Sequence, residues 1–233
     1  MPSKKKNENT NIYDKIPKKF LLKTENPNYD IHNISIPCYG IVCGASGAGK
    51  TAWLMELLLK FSANKGTMEN IWIITRNSDE PLYNWLKSKS EQIIITEGLG
   101  STPDLDKMDK SVNNLVIFDD LVLSKNQSLM ESFFVRSRKM NCSVFYLSQG
   151  WFRVPKIIRS NANLIVLLKI SGDREIKMIL SEFGLGVSKE QMVQMYQDAT
   201  SVKMRPLIVD ISKPPEKRFR QGFLDYLDVI DYL

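Results

Sequence analysis

The segment from Tyr39 to Phe61 combines an apolar run, a glycine-rich turn and a leucine-rich helical pattern in immediate succession. The turn fits the pattern G-x-x-x-x-G-K-[ST] and consists of Gly44, Ala45, Ser46, Gly47, Ala48, Gly49, Lys50 and Thr51. A chance glycine-rich turn would need neither the Lys-Thr pair nor a strand before it and a helix after it. The sequence therefore predicts a phosphate-binding P-loop between a strand at 39–43 and a helix at 51–61.

Each part of this turn has a chemical role in the prediction. The glycines allow successive backbone N–H groups to point inward around a phosphate chain. The helix N-terminus adds partial positive charge, and Lys50 carries an ammonium group to the β- and γ-phosphates of a nucleotide. The hydroxyl of Thr51 is placed to ligate Mg²⁺.

A second anchor is the apolar run 115–118, which ends abruptly in Asp119 and Asp120. P-loop proteins hold the Mg²⁺ of a bound nucleotide with a carboxylate at such a strand end. We therefore expect Asp119 to hold the metal, directly or through water. Asp120 is the candidate general base for an attacking water, and the alternative is a cap on a helix or turn.

A third polar strand end is Gln149, which follows the buried run 143–147 and Ser148. Two strands, 71–75 and 92–96, separate the P-loop from Asp119 in sequence. The strand before Gln149 is thus available to insert between the P-loop strand and the Asp119 strand. Its amide would then act as a sensor of the γ-phosphate and the lytic water, the alternative being an exposed glutamine.

Buried strand patterns alternate with helical ones along most of the chain, which predicts an α/β fold with a mostly parallel sheet and helices on both faces. Further strands are expected at 164–168 and 206–210, and further helices at 127–139, at 172–183 and after Ser188, which opens a capping box. Residues 1–36 are predicted to be a disordered basic tail followed by a lead-in segment, residues 37–212 the P-loop domain, and residues 213–233 a tail. In that tail, 223–233 has the spacing of an amphipathic helix that docks on its own chain or on a partner.

Composition adds constraints but no function. The formal charge of +6 suits a polyanionic partner and is equally common among ordinary soluble proteins. The three cysteines lie in or beside apolar runs and are predicted to be buried free thiols, and a single histidine makes zinc chemistry improbable. No apolar run approaches the roughly 18 residues of a membrane span, so we expect a soluble, intracellular protein.

The motifs GASGAGKT, IFDDL and FFVRSRKMNCSVFYLSQGWFRVPKIIRSNANLIVLLK together resemble the genome-packaging ATPases of large DNA viruses and virophages. This is the poxvirus-type branch of the FtsK-HerA superfamily, and the resemblance covers about residues 39–210. It implies a RecA-like fold, ATP and Mg²⁺ as cofactors, and a homo-oligomeric ring that moves double-stranded DNA into a preformed capsid. It also implies mainly phosphate contacts to DNA, a capsid or portal partner, and a place in the host cytoplasm, the viral factory or the virion.

Residue by residue, the resemblance assigns the phosphate and magnesium contacts to Lys50 and Thr51, the metal carboxylate to Asp119 and the sensor to Gln149. An arginine supplied across a subunit interface falls on Arg136 or Arg138, without a choice between them. The basic helix end formed by these arginines could also be a solvated surface. Asp120 stands where many members of the wider superfamily carry Glu, and its side chain is one methylene shorter.

Three other functions remain open at this point. A P-loop kinase would transfer the γ-phosphate to a small metabolite, but no lid signature stands out. A ring ATPase of related type would act on protein in assembly or secretion. A nucleotide-gated binding module would not hydrolyse ATP at all.

Overall fold

The computed structural model describes residues 11–17, 24–124, 126–170 and 172–232. Most of the predicted basic tail, residues 1–10, lies outside the described residues. The described chain forms a sheet of nine strands in the order β3-β2-β4-β5-β1-β6-β7-β8-β9. The strands are β1 Tyr39–Cys43, β2 Asn70–Thr75, β3 Ile93–Glu97, β4 Asn114–Asp119, β5 Cys142–Ser148, β6 Leu164–Leu167, β7 Leu207–Asp210, β8 Phe219–Gln221 and β9 Asp225–Tyr226.

The first six strands pair in parallel, and the last three add to the β6 edge as antiparallel strands. The prediction of a mostly parallel sheet is therefore confirmed. The four central parallel strands, β4, β5, β1 and β6, are short apolar runs buried from both sides, as expected when helices cover both faces of a sheet.

The helices are α1 Tyr29–His32, α2 Lys50–Phe61, α3 Pro81–Lys87, α4 Gln127–Arg136, α5 Lys156–Asn161, α6 Asp173–Phe183 and α7 Lys189–Ala199. Helices α2 and α3 pack on one face of the sheet, and α4 to α7 pack on the other. Successive residues of one strand point to opposite faces of the sheet. Ile41 therefore faces the core under α4 to α7, and Val42 faces the core under α2 and α3. Ser188 caps α7 in the predicted capping box with Gln191. None of the helices in the described ranges is long and apolar enough to cross a membrane.

Strand β5 lies between β1 and β4, as predicted from the polar strand ends. In the register of these pairs, Ser148 lies beside Cys43 and Leu147 lies beside Asp119. Because all three strands run in the same direction, their carboxyl ends meet at one edge of the sheet. The P-loop, Asp119 and Gln149 follow these ends, so they are gathered at that edge.

The predicted amphipathic helix at 223–233 is wrong. Residues 225–226 form β9 instead, and a 3-10 turn follows at Val229–Tyr232. The free edge of β7 offers backbone hydrogen bonds to β8, and Phe223 packs in parallel on Trp53 with ring centroids 5.5 Å apart. These contacts outweigh the helical spacing, so most of the segment expected as a separate tail extends the sheet of the P-loop domain.

The lead-in segment packs against the P-loop helix over the described residues 24–36. The Asn28 amide donates hydrogen bonds to the backbone oxygens of Phe61 and Ala63, at 3.3 and 2.8 Å, where α2 ends. The ring of His32 is buried edge-on against the ring of Phe61 at 4.8 Å. The three cysteines are buried free thiols, as predicted.

Candidate nucleotide-binding site

The P-loop links the end of β1 at Cys43 to the start of α2 at Lys50. Gly47 and Gly49 have φ angles of 73° and 100°, in the left-handed region that favours glycine. A Cβ atom on Gly44 would lie 2.8 Å from Cβ of Leu168, so a larger residue would displace the neighbouring segment. The backbone forms the cradle that the motif predicts, with a tight contact behind Gly44 and positive φ angles at Gly47 and Gly49.

The Lys50 ammonium lies over the beginning of this cradle. Its Nζ donates hydrogen bonds to the backbone oxygens of Gly44 and Ala45, at 2.8 and 3.1 Å. Burial lowers the pKa of Lys50, while Asp119 and Asp120 oppose this shift. The ammonium group therefore contacts the P-loop backbone and lies within the electrostatic influence of the two carboxylates at the end of β4.

Asp119 is buried at the end of β4, with only 6% of its surface exposed. The Tyr83 hydroxyl of α3 donates a 2.5 Å hydrogen bond to its Oδ2, which leaves Oδ1 available for a ligand. Burial raises the pKa of Asp119 to about 6, helped by the nearby Glu80 and Asp120 and opposed by the Tyr83 hydrogen bond and by Lys50.

A buried carboxylate with two acidic neighbours is stabilised by a cation. Carboxylate and hydroxyl oxygens are the hard ligands that Mg²⁺ prefers, and Thr51 supplies a hydroxyl at the first turn of α2. The donor set of Asp119 and Thr51 therefore fits Mg²⁺. Sequence reasoning missed Tyr83, because a tyrosine inside a short helix carries no signal that it will orient a carboxylate 36 residues away.

Asp120 and Gln149 lie against each other. The Gln149 Nε2 donates a 3.2 Å hydrogen bond to Asp120 Oδ1. Asp120 has φ 51°, in the left-handed region that aspartate and asparagine adopt more readily than most other non-glycine residues, and it turns the chain sharply after β4. Asn126, and not Asp120, precedes helix α4, so a cap on that helix does not explain Asp120.

The chain after Gln149 is held by two glutamates of α6. Glu175 accepts a hydrogen bond from the backbone N–H of Trp151 at 3.2 Å, and a Cβ on Gly150 would lie 2.9 Å from its Oε1. Glu182 accepts from the indole Nε1 of Trp151 at 3.1 Å and pairs with Arg159 at 3.0 Å. Arg159 thus pairs with a carboxylate inside its own chain, and this cluster fixes the position from which Gln149 extends.

Arg136 and Arg138 lie at the amino-terminal ends of the central strands, opposite to the ends that carry the P-loop. Arg136 ends α4 and pairs with Asp106 at 2.5 Å, and both side chains are more than half exposed. The Arg138 guanidinium lies 5.6 Å from the ring centroid of Tyr39, which begins the strand that leads into the P-loop. A five-residue strand spans roughly 13 Å, so these arginines do not reach the P-loop of their own chain. Together they border a cavity of about 600 Å³.

Comparisons with known proteins show the family and the fold of the chain. The family model described as poxvirus A32 protein matches residues 37–224. The genome packaging NTPase B204 from Sulfolobus turreted icosahedral virus 2, solved with AMP, has a TM-score of 0.56 and 14% identity, over 81% of this chain and 98% of that one. The same NTPase with ATP-gammaS has a TM-score of 0.56 and 12% identity, over 81% and 98%.

A structure of EssC (ATPases 2 and 3) from Geobacillus thermodenitrificans is also similar, with a TM-score of 0.55 and 12% identity over 84% of this chain and 42% of that one. At these identities the solved structures establish a shared fold, which confirms the predicted P-loop NTPase architecture. No curated protein sequence matches the chain.

Proposed function

The chain belongs to the poxvirus A32 protein family, and we propose from this and from its site that it hydrolyses ATP to move double-stranded DNA into a viral capsid. The observation that carries the proposal is the insertion of β5 between β1 and β4. With this insertion the Gln149 amide donates to Asp120 beside the P-loop, which supports proposing a phosphate cradle, a metal carboxylate and a water-orienting pair at one edge.

The roles of the site residues follow from their places at this edge. The P-loop N–H groups and Lys50 would bind the β- and γ-phosphates, and Thr51 with Asp119 would hold Mg²⁺. When bound, Mg²⁺ neutralises charge that develops on the phosphate oxygens. Asp120 would accept a proton from the attacking water, and Gln149 would orient that water, since its amide can donate and accept hydrogen bonds.

The arginines complete the site only in an oligomer. Arg136 and Arg138 lie at the end of their own sheet that is opposite to the P-loop. In a ring, one of them could reach the P-loop of the neighbouring subunit. A guanidinium supplied this way stabilises charge in the transition state and makes hydrolysis depend on ring assembly. The exposed pair of Arg136 with Asp106 can exchange at little cost, since such pairs contribute about 0–1 kcal/mol.

DNA and capsid partners belong to the same proposal. A packaging motor acts on any sequence, so its DNA contacts are expected at phosphates, which suits the formal charge of +6. The protein would work in the cytoplasm of the infected cell, at the viral factory, and associate with the capsid or the virion.

The main alternative is a ring ATPase that acts on protein in assembly or secretion. A P-loop kinase is a weaker alternative, because the Asp120–Gln149 pair suits activation of water better than binding of an acceptor metabolite. Stimulation of turnover by long double-stranded DNA separates the packaging motor from both.

The test is steady-state ATP hydrolysis with Mg²⁺ over a range of protein concentrations, with and without long double-stranded DNA. The motor predicts turnover that rises more than linearly with protein concentration and increases with DNA. Lys50→Ala should abolish turnover, and the double variant Arg136→Ala/Arg138→Ala should lower it by about 10³-fold. The exposed Lys189→Ala serves as a control for loss of surface charge. If turnover is proportional to protein concentration and changes neither with DNA nor with loss of the arginines, the chain is a P-loop phosphohydrolase and the packaging motor is contradicted.

A further inference from the structure

A second cavity lies against the P-loop, on the side away from the catalytic carboxylates. It encloses about 260 Å³ between residues 45–48, Lys169 and the segment 200–205 that links α7 to β7. In the sheet, β5 and then β4 flank β1 on one side, and β6, which precedes Lys169, flanks it on the other. Asp120 and Gln149 thus lie on the β5 side of the P-loop, and the cavity lies on the β6 side.

The segment 200–205, which forms one wall of this cavity, is held in place by specific contacts. Tyr196 of α7 accepts a hydrogen bond from the N–H of Ile170 at 2.8 Å and donates one to the oxygen of Leu168 at 3.3 Å. This ties α7 to the residues on both sides of Lys169. Met204 has φ 66°, and a Cβ on Gly49 would lie only 2.8 Å from its Cγ. The segment is therefore seated directly on the P-loop backbone.

The side chains of this segment combine apolar and cationic character. Val202 and Met204 are 51% and 47% exposed, although they stand beside a polar loop. The cations Lys169, Lys203 and Arg205 border the same cavity, and none of the described residues that line it carries a carboxylate. Exposed apolar side chains beside cations suit a ligand that has a flat apolar ring and polar or anionic groups at one end.

The direction of a bound nucleotide follows from these positions. Hydrolysis requires the γ-phosphate on the side of Asp120 and Gln149, so the opposite end of the nucleotide must extend toward β6. We propose that the cavity binds the nucleoside of the nucleotide whose phosphates the P-loop holds, with Val202 and Met204 packed on the base. This inference rests on the proposed ATPase function and adds the residues that distinguish ATP from its bare phosphate chain.

The size of the cavity agrees with this occupant. Small-ligand pockets begin at roughly 300 Å³, so a cavity of about 260 Å³ accommodates one nucleoside while the phosphates lie outside it on the loop. A DNA phosphate would use the three cations but would leave Val202 and Met204 without a contact. The apolar pair therefore favours the nucleoside over a DNA backbone.

The experiment compares binding of ATP and of inorganic tripolyphosphate, each with Mg²⁺, by isothermal titration calorimetry on the full chain. The wild type should bind ATP at least tenfold more tightly than tripolyphosphate. The double variant Val202→Ser/Met204→Gly should lower ATP affinity about tenfold, as expected for loss of two apolar contacts, and leave tripolyphosphate affinity within twofold. The control Ile94→Ala removes an equally exposed apolar side chain on the distant strand β3 and should change neither affinity.

Unchanged ATP affinity in the double variant, or equal losses for ATP and tripolyphosphate, would overturn the nucleoside assignment while leaving the P-loop function intact. A different set of results would assign the cavity to DNA phosphates instead. The wild type and the double variant would bind short duplex DNA, the Lys169→Ala variant would lose this binding, and none of these changes would affect the affinity for ATP. Absence of binding for both ATP and tripolyphosphate in the wild type would overturn the proposed function and this inference together. If the double variant unfolds below the assay temperature, Val202→Ser alone carries the same test.

Discussion

The side-chain amide of Gln149 donates a 3.2 Å hydrogen bond to the carboxylate of Asp120, 29 residues earlier in the chain. The two residues follow adjacent parallel strands, and each lies one position beyond the strand end. Asp120 is turned by its positive φ, and Gln149 is supported by the contact of the next two residues with Glu175. A carboxylate and an amide are thus fixed together beside the P-loop.

The first prediction concerns this pair. Asp120→Asn and Gln149→Ala should each lower kcat for ATP hydrolysis by about 100-fold, since positioned acid–base groups contribute roughly 10²–10⁴-fold. The KM for ATP should change less than threefold, because neither side chain belongs to the phosphate cradle. The exposed Gln92→Ala is the matched control. A kcat within threefold of wild type in both variants would contradict the roles of Asp120 and Gln149 in the hydrolysis step.

The second prediction concerns Tyr83, which orients the carboxylate assigned to the metal. Tyr83→Phe removes the hydroxyl and keeps the buried ring. The Mg²⁺ concentration for half-maximal hydrolysis should rise about tenfold, since partners behind a metal ligand are worth roughly 10–100-fold in affinity. Tyr226→Phe, which removes an exposed hydroxyl bonded to Asn33, should leave that concentration unchanged. If the Tyr83 variant and the wild type need the same Mg²⁺ concentration for half-maximal hydrolysis, Tyr83 does not position Asp119 for the metal.

The third prediction is a pH dependence of stability from His32. Burial lowers its pKa from 6.5 to about 4, with smaller effects from Arg220 and Lys60 in the same direction and from Asp30 against them. The unfolded chain takes up a proton near pH 6.5, whereas the folded chain does so only near pH 4. The contribution of neutral His32 to the free energy of unfolding is therefore complete above pH 6.5. It is lost as the pH falls from 6.5 to 4, and the total loss is roughly 3 kcal/mol because each pH unit is worth about 1.4 kcal/mol.

Urea unfolding at several pH values between 4 and 7 measures this contribution. His32→Asn keeps an acceptor for the N–H of Ile34, which bonds to His32 Nδ1 at 3.0 Å, and removes the titrating ring. The variant should be less stable near pH 7 and should lose less free energy of unfolding than the wild type as the pH falls to 4. Parallel pH profiles for the two proteins would contradict the assignment to His32.

The fourth prediction concerns the packing of the C-terminal segment. Phe223 is 6% exposed and stacks on Trp53 of the P-loop helix. Phe223→Ala should lower the free energy of unfolding by about 3 kcal/mol, the range for truncating a buried aromatic ring. Ile230→Ala, at a residue 70% exposed, should change it by less than about 0.5 kcal/mol. Similar urea midpoints for the two variants would mean that the segment is not part of the folded core.

Much of the fold, and the gathering of the P-loop, Asp119 and Gln149 at one edge of the sheet, could be predicted from local sequence. Apolar runs bounded by polar residues located the parallel strands, because a strand buried on both faces has no room for polar side chains except at its ends. The motif 44–51 predicted the P-loop because glycine positions and the Lys-Thr pair are requirements of the loop itself. Polar residues at strand ends predicted which strands would be neighbours, since the carboxyl ends of parallel strands converge.

Tertiary structure alone decided the remaining features, and the reason is the same for each: the decisive contact joins residues far apart in sequence. The packing of α3 brings Tyr83 to Asp119, and the packing of α7 brings Val202 and Met204 to the P-loop. The helical spacing of 223–233 was overridden by the free edge of β7 and by Trp53. Local pattern determined which segments are strands and helices and where the phosphate cradle lies, whereas long-range packing determined what surrounds that cradle.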